Sequence, residues 1–324
     1  MRESLAPGVW GVVATPFQGS TLDVDTDSLA GLVEYYQAIG ATGLTVLGVF
    51  GEAAALTPAE RSLVLEVVVE ETDLPLVVGV TSLYTGAAVE EIRAAQAVAG
   101  GRLAAVMVQA NSANPAVVAA HLNAIHQATG AKVVLQDYPL ASGVSISTAS
   151  LISVVQACTA VIAVKAEAPP TSVAIAELTA ALDVSVFGGL GGQGLLDELL
   201  SGAAGAMTGF SYPEALIACV RAWQADGYEA ARDALLPYLP LINFEQQARI
   251  ALPVRKECLR QRGLIADAGV RAPGAPFPEV LRPGMLTHLA EAAAALDARP
   301  SERPASAPAA GSPAAQHLAA AGRL

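Results

Sequence analysis

Aromatic residues, lysines and cysteines are all scarce in this chain, and each scarcity excludes something. Aromatic side chains make up 5% of the sequence, and no stretch interleaves them with Arg or Lys. A nucleic-acid surface combines stacking platforms with clustered cations, so no nucleic-acid partner is expected. The net charge of −12 mainly favours solubility and is silent on fold. Cys158, Cys219 and Cys258 are scattered and odd in number, which fits a reducing cytoplasm and not a disulfide framework. No run of about 18 apolar residues occurs, so no membrane span is expected. The opening MRESLAPGVWGVV lacks the basic-then-apolar order of a signal peptide. The histidines (His121, His126, His288, His317) show no ligand spacing. His121 and His126 fall on different sides of a helix, so no metal site is expected.

What the chain does have is apolar bulk. Hydrophobic residues make up 53% of 324, ample for a sizeable core. Short runs rich in Val, Ile, Leu and Ala lie at Trp10–Phe17, Thr42–Gly51, Leu74–Ser82, Ala104–Ala110, Lys132–Pro139, Ala160–Ala168, Val184–Gly189 and Ala204–Phe210. Near-continuous apolar content suits parallel strands covered on both faces. Helical patterns alternate with them. TPAERSLVLEVVVEET opens with Thr57 as cap, Pro58 at the first helical position and Glu60 in the capping-box place. DTDSLAGLVEYYQAIG and NPAVVAAHLNAIHQATG close on Gly40 and Gly130. Such alternation predicts a (β/α)₈ TIM barrel, an α/β fold that commonly takes about 250 residues. The alternative, an open doubly wound sheet, needs a glycine-rich phosphate loop after the first strand, and TPFQGSTLD is not one. The barrel is expected over residues 1–224 and a C-terminal helical extension over 225–298. A Pro/Ala-rich tail expected to be disordered fills 299–324.

Lysine occurs only at Lys132, Lys165 and Lys256. Lys132 follows a turn and Lys256 lies in the charged helical stretch RKECLRQR, so both are expected to be solvated. Lys165 lies inside AVIAVKAEA, near the C-terminal end of the sixth strand, where barrel enzymes place their chemistry. Burying an ammonium is costly, and a neutral amine is a nucleophile able to form a Schiff base with a carbonyl. Glu167, two residues on, shares a face with Lys165. It can serve as an acid–base group or as a plain ion-pair partner. The second strand ends in VLGVFGEAAALTPAER, where Gly48 and Gly51 permit a tight turn that brings backbone amides toward a ligand. Glu52 beyond it reads as structural. The seventh strand runs into FGGLGGQG, where the amides around Gly189 are candidates for holding a substrate carboxylate.

These residues, in this order, resemble the dihydrodipicolinate synthase / N-acetylneuraminate lyase family of Schiff-base aldolases. The likeness runs over residues 8–295. GVVATPF resembles the family's first strand, and GVFGEAAALTPAER its G-T-T-G-E segment. VLQDYPLASG resembles the Y-N-x-P segment, and VIAVKAEA the segment of the Schiff-base lysine. LLDELLSGAAGAMTG resembles the passage from strand seven to strand eight. The resemblance implies that Lys165 condenses with the keto group of pyruvate or another 2-oxo acid, or with an aldehyde. It also implies a homotetramer or homodimer without a metal or organic cofactor.

The departures are as informative. Val49 and Phe50 stand where the family has paired threonines, whose hydroxyls the resemblance assigns to the substrate carboxylate and proton relay. Gln136 stands at the tyrosine position, and an amide cannot exchange protons as a phenol does. Asp137 matches an asparagine, and Ala141 stands near the place of an arginine. The expected activity is therefore a lyase, an aldolase or dehydratase on a 2-oxo acid, and not dihydrodipicolinate synthesis. Lys165, Glu167 and Gln136 are the catalytic candidates; Val49, Phe50, Gly51, Asp137 and Gly189 are the binding candidates. Tyr138 is expected to face away from the lysine. The alternative is a catalytically impaired barrel that binds a small molecule.

Overall fold

The computed structural model describes residues 3–298; the expected tail lies outside them. Eight parallel strands close into a barrel. They are β1 (Gly8–Val12), β2 (Gly43–Val46), β3 (Leu76–Gly79), β4 (Leu103–Gln109), β5 (Val133–Asp137), β6 (Val161–Ala166), β7 (Ser185–Gly188) and β8 (Gly205–Thr208). Each pairs with its neighbour in chain order, and β1 pairs with β8 to complete the ring. The helices around them are α1 (Thr26–Ala38), α2 (Pro58–Glu71), α3 (Thr85–Ala99), α4 (Pro115–Thr129), α5 (Thr148–Ala157), α6 (Thr171–Ala181), α7 (Leu195–Leu200) and α8 (Pro213–Asp226).

Strand alternation divides the core in two. Trp10, Val12, Val77, Met107, Val134, Phe187 and Met207 share one buried cluster. Val106, Val133, Leu135, Val161, Val164 and Val186 belong to another, with residues of α3 to α6. Successive side chains thus leave each strand on opposite faces, one set filling the barrel and the other meeting the helices. The local signals act as expected. The Thr57 hydroxyl accepts the Glu60 amide at 3.2 Å while the Glu60 carboxylate accepts the Thr57 amide at 2.8 Å. Gly130 caps α4 in the left-handed region at φ 70°.

Beyond α8 lie α9 (Tyr228–Leu235), α10 (Leu239–Glu245), α11 (Ala251–Gln261) and α12 (Arg282–Asp297). The stretch EAARDALLPYLPLINFEQQ, one helical pattern in the sequence, forms α9 and α10 with a short 3₁₀ turn between them. Pro237 and Pro240 each lack an amide hydrogen and so begin a new helical segment in place of continuing the old one. The extension shares its core with the barrel: Tyr238, Leu241, Val254 and Met285 pack in the same cluster as Leu29, Leu44 and Phe210. No helix among the described residues is long and apolar enough to cross a membrane.

Candidate active site

A cavity of about 140 Å³ opens at the C-terminal ends of the strands. A water needs roughly 10–15 Å³ of such space, so there is room for a small organic acid. β6 supplies Lys165, and the residue after its end is Glu167; β5 supplies Gln136. Ala163, Lys165 and Glu167 share a parity, as do Val134 and Gln136, and the apolar members Ala163 and Val134 fix that parity as inward. Lys165 and Gln136 are partners in the β5–β6 register, which seats their side chains side by side.

Two of the three groups converge on one oxygen of the third. Lys165 Nζ lies 3.2 Å from Glu167 Oε2, and Gln136 Nε2 donates to the same atom at 2.6 Å. All three residues are buried. A buried carboxylate survives as an anion only with such partners. Gly189 closes the back of this cluster, because a Cβ there would overlap the Glu167 carboxylate. On the other face of the same turn, a Cβ at Gly188 would overlap the carboxylate of Glu198. The Glu198 carboxyl is buried, accepts a bond from Thr171 at 2.8 Å and has one oxygen without a partner. Burial first, and then the charge of Glu167, push it up to about 7.

Of the remaining sequence candidates, Val49 and Phe50 line the cavity. Gly51, Asp137 and Gly189 do not: they stand behind its wall. The Gly51 carbonyl accepts the Thr15 hydroxyl at 2.7 Å. Asp137 is buried, its carbonyl accepts the Glu167 amide at 2.9 Å, and its carboxyl is pushed up to about 6 by burial and then by the Glu167 charge. In the glycine-rich turn after β7, three amides are taken within the protein. Gly191 donates to the Thr208 hydroxyl at 2.8 Å, Gly192 to the Gly189 carbonyl and Gln193 to the Leu190 carbonyl.

Two expectations are corrected. Tyr138 lines the cavity with Gln136, as period two requires of residues two apart. Burial, and then Glu167, push its phenol up. Lys256 is not solvated but fully buried. Its ammonium donates to Glu52 Oε1 at 2.8 Å and to the carbonyl of Gly269, with the Phe17 ring centroid at 4.3 Å. Glu52 Oε2 in turn accepts the Arg271 amide at 2.9 Å. Glu52 sits at φ 52° in the left-handed region, so this pair of bonds pins a costly backbone conformation beside Val49 and Phe50. Lys132 is partly exposed and paired with Glu3, as a surface lysine would be.

The sequence gives little warning of four further cavity residues: Tyr138, Thr208, Gln246 and Arg255. Arg255 belongs to α11 and reaches the cavity from the extension. Its Nε donates to Glu245 Oε2 at 3.2 Å, its Nη2 to Gln246 Oε1 at 2.8 Å, and its guanidinium carbon lies 4.8 Å from the Phe50 ring centroid. Among the described residues, no three or more His, Cys, Asp or Glu side chains are grouped to hold a metal ion. The cavity can therefore present an amine, a carboxylate, a phenol and a guanidinium to one small molecule.

Comparison with known proteins places these features in context. The Dihydrodipicolinate synthetase family model matches residues 6–292. The L-2-keto-3-deoxyarabonate dehydratase of Azospirillum brasilense is 29% identical over 303 residues, 90% of this chain and 94% of that protein. The 4-hydroxy-tetrahydrodipicolinate synthase of Methanothrix thermoacetophila is 28% identical over 278 residues, 84% of this chain and 92% of that protein. Among solved structures, the dihydrodipicolinate synthase of Rhodopseudomonas palustris superposes with a TM-score of 0.82 at 28% identity, covering 90% of this chain and 99% of that one.

Proposed function

We propose that this chain, which belongs to the dihydrodipicolinate synthetase family and is a lyase of the class I aldolase type, acts on a 2-oxo acid through a Schiff base on Lys165. The observation that carries the reading is the placement of the Lys165 amine in the cavity, 3.2 Å from the Glu167 carboxylate. The substrate class that fits is a 2-keto-3-deoxy sugar acid, and the reaction a dehydration. The dehydratase similarity over nine-tenths of the chain supports this. So does Ala141, which offers no cation after the strand-five proline.

In this reading the Lys165 amine attacks C2 of the 2-oxo acid, and water leaves to give an iminium. A C3 proton passes to Glu167, and its electron pair flows toward the iminium nitrogen. The enamine then expels the C4 hydroxyl, which takes that proton from Glu167 and departs as water. A second water hydrolyses the conjugated iminium, returning Lys165 and an unsaturated 2-oxo acid. Glu167 suits both transfers because Gln136 and Lys165 fix its orientation. Gln136 holds the base and moves no proton itself. A homotetramer or homodimer goes with this reading, and light scattering reports it.

Borohydride trapping tests the reading. With pyruvate or the true 2-oxo acid, intact mass should rise by one reduced adduct, mapped to Lys165 and lost in Lys165→Ala. If no 2-oxo acid or aldehyde in a broad panel gives an adduct, the Schiff-base reading fails and a binding role takes its place.

A further inference from the structure

We infer that Arg255, supplied by the C-terminal extension, is the anchor for the substrate carboxylate; the inference rests on the Schiff-base reading above. A 2-oxo acid brings an anion into the cavity beside C2, and a buried anion needs donors. Several groups of the wall do not provide them. Val49 and Phe50 have apolar side chains. The amides of Gly191, Gly192 and Gln193 already donate within the protein. Gln136 Nε2 is committed to Glu167, and Glu167 itself is a carboxylate that repels another.

Arg255 is, among the described residues lining the cavity, the one full cation besides Lys165. Its side chain is 8% exposed and lines the cavity. Glu245 holds its Nε and Gln246 holds one Nη2 proton, so the fork is fixed in place before a ligand arrives. Nη1 makes no hydrogen bond to the protein among the described residues. Phe50 lies under the guanidinium with its ring centroid at 4.8 Å. That contact orients a planar cation, and it gives the bulky Phe50 a purpose at the mouth. The Thr208 hydroxyl is a second donor: it accepts the Gly191 amide and keeps its own proton for a ligand. Glu245 is held in turn by Ser211, whose amide shares Oε2 with Arg255 Nε and whose hydroxyl binds Oε1.

The test compares pyruvate with its uncharged methyl ester in the trapping assay. In Arg255→Gln the half-saturating pyruvate concentration should rise about 10- to 100-fold, the usual loss for one charge-assisted bond. The value for methyl pyruvate should not move, and Arg255→Lys should recover part of the loss. The double variant Glu245→Gln/Arg255→Gln removes the buried pair together and must show the same split, which covers the case in which an unpaired Glu245 prevents folding. Equal shifts for acid and ester, or no shift for either, would overturn the assignment while leaving the Schiff base intact. Absence of any adduct in the unmodified protein would instead remove the reading beneath it.

Discussion

Lys165 and Lys256 are both buried, and each faces a glutamate, yet one opens on a cavity and the other is walled in. Lys256 has Glu52 at 2.8 Å, the Gly269 carbonyl and the Phe17 ring, and no exposed surface. Lys165 has the Glu167 carboxylate at 3.2 Å and a space beside it large enough for a small acid. Burial lowers the pKa of Lys256 against the pull of Glu52, yet Lys256 does not line the cavity. Access separates them. An ammonium with its donors taken is a brace between loop and helix; the amine with room beside it is the proposed nucleophile.

The sharpest way to break this comparison is to exchange what each lysine loses. Lys165→Ala should abolish the adduct and lower turnover by roughly 10⁴-fold or more, as removal of a covalent nucleophile does. An adduct that persists at Lys256 would collapse the distinction. Lys256→Met should do the reverse. It leaves Glu52 buried and unpaired, costing about 3–5 kcal/mol in denaturant unfolding, while the folded fraction still traps a 2-oxo acid at Lys165.

Glutamates extend the contrast. Glu167→Gln should slow turnover by about 10²- to 10⁴-fold and still permit trapping, because the amine remains. Turnover equal to that of the unaltered protein would make Glu167 a brace as well. Across Gly188 and Gly189, Glu198 should carry no chemistry but a pH signature. Its folded pKa of about 7 exceeds its ordinary 4.5, so the folded protein binds the extra proton between those values. Stability should therefore fall as pH rises from about 4.5 to 7, by at most about 3 kcal/mol. In Glu198→Gln that slope should flatten in unfolding curves taken across the range. An unchanged slope would place the titration elsewhere.

Much of the fold was legible because its signals are local. The eight apolar runs became the eight strands, and Thr57–Glu60 formed the capping box that its spacing announced. Lys165 was legible for a similar reason: a charged residue inside a strand pattern is conspicuous. Lys256 and Arg255 were not. The stretch RKECLRQR reads as a solvated helical face, but the helix is enclosed on several sides, with Val254 through Leu259 all buried. The carboxylates that make this tolerable are Glu52, 204 residues away, and Glu245, which charge counting alone does not pair with Arg255. Tyr138 went astray on parity, since it shares the face of Gln136. In the glycine-rich turn, composition does not reveal that Thr208 and the turn's own carbonyls take the amides of Gly191, Gly192 and Gln193.

The bonds of Glu52 bear on how the chain is made. Its carboxylate waits for Lys256 and for the amide of Arg271, 204 and 219 residues downstream. A ribosome releases β1 through β8 before either partner exists. A nascent chain that stops short of Ala251 contains all eight strands, yet it lacks both partners of Glu52 and has no Arg255 at all. The mouth is thus assembled last, and the site itself records whether translation ran far enough.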